Sequence, residues 1–240
     1  MSGINRLFPV AILAGGLATR LRPITEAIPK ALVDVAGKAF IARQLEYLSA
    51  QGVREVVLCV GYLGEMIQDV VGTGKRYGLR VHYSFDGPKL LGTGGALKQA
   101  LPLLGEHFFV LYGDSYLPVD FSVVQDAFVQ TAQPALMTVL KNGDRWDKSN
   151  VLFVDGQLVE YNKRAPRPEM ACIDYGLGLV SAGVFGACPD DSPFDLADVY
   201  QDLSGKGQLA GLEVHQRFYE IGSYGGLKDA EEYLLTKENV

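Results

Sequence analysis

The chain has 240 residues, 48% of them hydrophobic and 21% charged, with a net charge of −6. That length can bury a sizeable core in one large domain or two small ones. An acidic balance excludes general binding to nucleic acid or to an anionic membrane surface, so a local cluster of cations points to a small anion.

The first half alternates short apolar runs with amphipathic ones. "FPVAILA" (8–14) reads as a buried strand. "KAFIARQLEYLSAQG" (38–52) reads as a helix with Phe40, Ile41, Leu45 and Leu48 on one face and Gly52 at its end. "REVVLCVGY" (54–62) is a strand, "GEMIQDVVGTG" (64–74) a helix, "LRVHYSF" (79–85) a strand, "TGGALKQALPLL" (93–104) a helix and "HFFVLYGD" (107–114) a strand. After about Ala132 the pattern turns strand-like: 134–141, 150–156, 157–163 and 173–185, with a hairpin signal at Asp155-Gly156. Helices near Leu196–Leu203 and Tyr224–Leu235 follow. Apolar strands alternating with helices imply a Rossmann-like three-layer α/β/α fold with a mixed, mostly parallel central sheet. With no linker or repeat, 1–240 is expected to be a single domain, with 1–132 as an alternating α/β half and 133–240 as a β-rich second half on the same sheet.

No apolar stretch is long enough to span a bilayer. Arg6 before "FPVAILA" outlines a signal-peptide core, but cleavage there would discard the first strand. Cys59, Cys172 and Cys188 are odd in number and widely spaced, which suits reduced core cysteines of a cytoplasmic protein. His82, His107 and His215 show no zinc-ligand spacing.

Open α/β sheets bind ligands beyond the carboxyl ends of their strands, and Ala14-Gly15-Gly16 stands at that end of the first strand. Glycines there let backbone N–H groups approach an anion, although a Gly-Gly pair alone is more often a plain turn. Neither a dinucleotide fingerprint nor a Walker A motif is present. The cluster that follows alters the balance: Thr19, Arg20 and Arg22 share one loop, Pro23 and Pro29 stiffen it, and Lys30 follows the second proline. Cations aimed at phosphates gain from such preorganisation.

"GGLATRLRPITEAIPKALV" (15–33) resembles the signature of the sugar-1-phosphate nucleotidyltransferases. "LGTGGAL" (91–97) is similar to the family's base-contacting loop, "YGDSYL" (112–117) to its metal-binding Gly-Asp, and "VEYNKRAP" (159–166) and "IDYGLGL" (173–179) to its sugar-contacting segments. "YEIGSYGGLKDAEEYL" (219–234) is similar to its closing stretch. The resemblance implies in-line attack of a sugar 1-phosphate on the α-phosphorus of an NTP, a reaction that needs positioning and charge neutralisation. On that basis Arg20 and Lys30 are the catalytic cations, facing the pyrophosphate and bridging the two reacting phosphates. Leu13, Ala14, Gly15, Gly16, Thr19, Asp86, Gly92, Thr93 and Gly94 would hold the nucleotide, which makes 1–132 the nucleotide-binding half and 133–240 the sugar-binding half. Gly113, Asn162, Lys163, Asp174 and Gly176 would hold the sugar phosphate, and Asp114 with Glu220 would bind Mg²⁺.

Three departures from the family pattern stand out. Glu220 replaces its usual Asp, which leaves metal geometry open. Asn162 precedes the lysine where Glu is common, and Asp174 stands where Asn is usual; both could mark an unusual sugar or simply be strand-end polar groups. Asp86 offers two acceptors to the adjacent N1–H and N2–H₂ of guanine, which leans towards GTP, although Asp86-Gly87-Pro88 also suits a plain turn. Tyr47, Phe108, Phe109 and Trp146 read as packing residues, and "KNGDRWDKSN" (141–150) as a solvated connection rather than a lid. The expectation is a guanylyltransferase for a heptose or mannose 1-phosphate, with no membrane or nucleic-acid partner. Alternatives are a uridylyltransferase for an N-acetylated sugar 1-phosphate, or a silent regulatory subunit that keeps the pocket. The expectation is also of a chain without the repeat or acetyltransferase modules of bifunctional relatives. Short members commonly pair as homodimers, which the resemblance implies here, though no stretch marks an interface.

Overall fold

The computed structural model describes residues 6–190 and 192–238, so the ends of the expected 1–240 domain lie outside the described residues. The chain opens with β1 (Val10–Leu13), passes through 3-10 turns at Thr19–Leu21 and Lys30–Leu32 flanking α1 (Ile24–Ala27), then forms a small hairpin, β2 (Asp34–Val35) and β3 (Lys38–Ala39). Next come α2 (Phe40–Ala50), β4 (Glu55–Val60), α3 (Gly64–Val71), β5 (Arg80–Phe85), α4 (Gly92–Leu104) and β6 (His107–Tyr112). The remainder is β7 (Ser115–Tyr116), α5 (Phe121–Gln130), β8 (Ala135–Lys141), β9 (Val151–Val154), β10 (Gln157–Tyr161), β11 (Cys172–Ser181), α6 (Leu196–Gly205), β12 (Leu209–Val214), β13 (Tyr219–Glu220) and α7 (Tyr224–Glu238).

Among the described residues nine strands share one sheet, with β5-β4-β1-β6 pairing in parallel. Strand β11 joins antiparallel to β6, and β8, β12 and β9 continue from it. Only β11 and β10 run against the rest, so the sheet is mixed and mostly parallel. Alternate residues of β1 feed opposite cores: Val10 and Ile12 pack with α2, α3 and α5, whereas Ala11 packs with α4 and α6. This sandwiching makes three layers and explains why the strands read as unbroken apolar runs. The expected face of α2 is buried, Phe40, Ile41, Leu45 and Leu48 each being 0% exposed. A third, smaller core seats α7 on the β2–β3 hairpin through Val33, Phe40, Ile221 and Leu234.

The hairpin signal at Asp155-Gly156 turns β9 into β10, both residues having positive φ, 49° and 78°. Six elements escape the sequence reading: α1, β2, β3, β7, α5 and β12, with Lys38–Ala39 forming β3 where the helix is expected to begin. Helix α5 is capped by Asp120, whose carboxylate accepts from the Ser122 N–H at 2.8 Å, but its valines weaken the helical signal. Strand β12, "LAGLEV", is interrupted by Gly211 and gains its pairing only from β8. The three cysteines are free. Among the described residues no helix is long and apolar enough to cross a membrane.

Candidate active site

Strand β1 is the switch point of the sheet: the chain moves outward from it through β4 and β5, then returns to its other side as β6. Ligands bind beyond the strand ends at such a point. A cavity of about 270 Å³ lies there, lined by Leu13, Ala14, Gly15 and Gly16 after β1, Cys59 from β4, Asp86 after β5, and Gly92 and Thr93 at the start of α4. A second cavity of about 190 Å³ adjoins it, and Tyr112 and Asp114, at the end of β6, line both.

Close backbone packing makes the first cavity. A Cβ on Gly113 would lie 2.6 Å from the Leu13 carbonyl oxygen, and one on Gly15 would lie 3.0 Å from the Gly61 nitrogen. A Cβ on Gly16 would meet nothing within 4 Å, so this glycine faces open space. The start of α4 is stitched to the segment before α6: Gly94 N–H donates to the Phe194 carbonyl at 3.0 Å, and the Leu196 N–H donates to Thr93 Oγ1 at 2.8 Å. Asp86 Oδ2 accepts from the Leu91 N–H at 3.1 Å, and burial raises its carboxyl above the ordinary range.

Where the cavities meet, Lys30 Nζ donates to Asp114 Oδ2 at 2.6 Å, with side chains 21% and 24% exposed. Proline sets this lysine: Leu32 N–H donates to the Pro29 carbonyl at 2.8 Å, which holds the Lys30–Leu32 turn. Strand β13 brings in Glu220 by pairing it with Ser115, and the Ile221 N–H donates to the Asp114 carbonyl at 2.9 Å. Burial, then the nearby charge of Asp114, raise the Glu220 carboxyl, while Arg20 opposes that shift. The two carboxylates are hard oxygen donors that share a negative field, so they fit a divalent cation. Among the described residues no group of three or more His, Cys, Asp or Glu could hold one alone, so further ligands would come from substrate phosphates.

The second cavity draws on a break in the sheet. Between Asp174 and Gly178, β11 slips against β8, so Asp174 faces Val139 and Gly178 faces Met137. Four residues of β11 thus advance past two of β8, and Gly176 sits in the bulge at φ 98°. The bulge presents Asp174 to the cavity with its Oδ1 accepting from the Gly176 N–H at 2.9 Å. Burial raises the Asp174 carboxyl to about 6, partly offset by that bond and by Lys163.

A raised carboxyl gives the folded state the greater proton affinity. This contribution is full at pH below the unfolded value and is lost as pH rises through about 6. Asp174→Asn is therefore expected to be the more stable protein at pH 7.5 by about 1–2 kcal/mol, the shift being discounted for partial exposure. The advantage should fade towards pH 4.5. Unfolding of both proteins at the two pH values checks this, and a difference independent of pH would contradict it.

Most of the expected site residues gather at these cavities, but five differ. Gly113, expected beside the sugar phosphate, lines the first cavity and not the second. Arg20 lines the second cavity, not the first, with its guanidinium over Gly222. Thr19 lines neither, being held in its own 3-10 turn. Gly94 lines neither, because its N–H is taken by Phe194. Asn162 lines neither, and its Oδ1 accepts from the Ala165 N–H at 2.9 Å. Conversely Asp147, Asn150 and Tyr161 line the second cavity and were not singled out. Asn150 Oδ1 accepts from the Asp174 N–H at 2.9 Å, a partnership across 24 residues that no local pattern signals.

Comparison with known proteins shows the family. Residues 10–149 match the family described as Nucleotidyl transferase. The N-acetylmuramate alpha-1-phosphate uridylyltransferase of Neisseria meningitidis is 32% identical, over 92% of this chain and 95% of that protein. The D-glycero-alpha-D-manno-heptose 1-phosphate guanylyltransferase of Campylobacter jejuni is 28% identical, over 88% and 93%. The crystal structure of HddC from Yersinia pseudotuberculosis complexed with GMP-PN superposes with a TM-score of 0.77 at 26% identity, covering 95% of this chain and all of that one.

Proposed function

This chain belongs to the sugar-1-phosphate nucleotidyltransferase family, and we propose that it transfers GMP from GTP to a heptose or mannose 1-phosphate. An oxygen of the sugar's phosphate attacks the α-phosphorus in line. The new P–O bond forms as the bond to the β-phosphate bridging oxygen breaks, and pyrophosphate leaves.

The observation that carries this reading is the Lys30–Asp114 pair at the seam of the two cavities. Nucleotide in the first cavity and sugar phosphate in the second would meet at that seam. Gly15 and Gly16 offer backbone to the phosphates, and Gly16 has the open space for them. Lys30 bridges the two reacting groups, while Arg20 and Lys163 neutralise phosphate charge from the second cavity. Asp114 and Glu220 would hold Mg²⁺, which when bound neutralises charge on the phosphate oxygens. Family members of this kind generally use a divalent metal, and such an ion would offset the neighbouring negative charges of Asp114 and Glu220.

The base reading rests on Asp86, a carboxylate in the first cavity able to accept from two donors of guanine. A second reading, uridylyl transfer, is favoured by the Leu91 N–H already held on Asp86 Oδ2, which leaves one wholly open oxygen for the single N3–H of uracil. Pyrophosphate release from GTP, UTP, CTP, dTTP and ATP with a panel of sugar 1-phosphates tests both. Under the first reading GTP gives the highest kcat/KM, and Asp86→Asn lowers it about 10–100-fold by replacing an acceptor with a donor. A preference for UTP in the unmodified protein replaces the first reading with the second.

A further inference from the structure

The wall of the second cavity holds four carboxylates, Asp114, Asp147, Asp174 and Glu220, against two cations, Arg20 and Lys163. Asp114 is matched by Lys30. A sugar 1-phosphate brings its own dianion, which engages Arg20 and Lys163. Among the described residues the wall then has no further cation for a second anionic group on the sugar.

The loop that supplies Asp147 turns its cations elsewhere. The Arg145 guanidinium lies 5.3 Å from the Trp146 ring centroid, and Lys148 pairs with Asp144 at 3.2 Å. Arg217, which packs over the same tryptophan at 5.4 Å, pairs with Asp229. None of these three lines the cavity.

This loop is a fixed wall and not a loose connection. Asn142 Nδ2 donates to the Asp147 carbonyl at 2.5 Å, Ser149 N–H donates to Asp144 Oδ1 at 2.7 Å, and Trp146 packs edge-on against Phe218 at 6.2 Å. Asp147 Oδ1 accepts from the Lys148 N–H at 2.7 Å, which sets the orientation of its carboxylate. The charge of Asp147 is felt at Glu220.

We propose that Asp147, together with Asp174, restricts the sugar to one whose ring substituents are uncharged hydrogen-bond donors, and turns away sugars that bear a carboxylate. Ionised carboxylates only accept hydrogen bonds, so they suit hydroxyls and repel a like charge. The inference rests on reading the second cavity as the sugar site. It separates this chain from its 32% identical relative, whose name gives N-acetylmuramate 1-phosphate, a sugar with a lactyl carboxylate, as substrate.

Matched pairs test it: glucose 1-phosphate against glucuronic acid 1-phosphate, and N-acetylglucosamine 1-phosphate against N-acetylmuramic acid 1-phosphate, each with GTP and with UTP. Turnover is read by pyrophosphate release and affinity by calorimetry, so a slowly used pair still yields a ratio. The neutral member is expected to be favoured at least about 100-fold in both pairs. Asp147→Lys should narrow that ratio about 10-fold or more, and the isosteric Asp147→Asn should narrow it less. Asp147 is exposed, so both substitutions suit the fold. Equal use of the acidic member, binding of neither member, or a ratio unmoved in both variants overturns the proposal. Use of UTP in place of GTP overturns only the base reading, since the ratio is measured with each nucleotide.

Discussion

Asp114→Asn is expected to lower kcat about a thousandfold with little change in stability. Asp114 ends β6 at the seam of the two cavities, touches Lys30 at 2.6 Å, and sits one residue from the Ser115–Glu220 pairing. The substitution keeps the shape and the backbone bond from Ile221 but removes one of two carboxylates able to hold a divalent ion. It also frees Lys30 from the ion pair that aims it. Electrostatic groups aimed at transferring phosphates are each worth roughly 10²–10³ in kcat. Lys30→Met alone should therefore cost about 10²–10³-fold. The double variant should fall well short of the product of the two, because groups in direct contact couple. Glu220→Gln should raise the Mg²⁺ concentration needed for half-maximal rate. Steady-state pyrophosphate release across a Mg²⁺ titration, beside denaturant unfolding of each variant, checks the set. Additive losses from Asp114 and Lys30, or an unchanged metal dependence in Glu220→Gln, would show that these side chains do not act as one unit.

Gly92→Ala should destabilise the protein by about 2–4 kcal/mol and weaken NTP binding together. Gly92 opens α4 at φ 73°, a conformation that strains any residue with a Cβ. The added carbon would also lie 2.5 Å from the Phe194 carbonyl oxygen and 3.0 Å from its carbon. That carbonyl accepts from the Gly94 and Gly95 N–H groups, at 3.0 and 3.3 Å, so it cannot retreat without breaking the stitch between α4 and α6. Gly16→Ala is the contrasting case. Its Cβ meets nothing within 4 Å and its φ is not positive, so stability should change by less than about 0.5 kcal/mol. Its methyl would nevertheless intrude where phosphates are proposed to approach, and KM for the nucleotide should rise. Unfolding curves and nucleotide affinities for both variants distinguish a glycine needed by the fold from one needed by the ligand.

The first cavity was largely readable from the residues because its parts are local. Gly15 and Gly16 follow β1 directly, and Lys30 is held by the adjacent Pro29. Strand ends, glycines and prolines fix backbone direction over a few residues, so short-range patterns suffice there. Thr19 and Gly94 adjoin lining residues in sequence but line neither cavity themselves. Only the packed backbone shows that the Gly94 N–H is spent on Phe194.

The second cavity depended on tertiary structure. Asp174 enters it through a β-bulge that exists only because β11 is paired to β8 on one side and β6 on the other. Asn150 is fixed by a bond to Asp174, and Glu220 reaches Asp114 by pairing β13 with β7 across more than a hundred residues. Asp147 belongs to a loop that reads as solvent-facing, yet is tied down by Asn142, Asp144 and Trp146. The sequence by itself thus determined the main alternation of strands and helices and the glycine-lined loop after β1. Which acidic side chains line the second cavity was decided by strand register and cross-strand packing, because a slip of one residue reverses the face on which a side chain emerges.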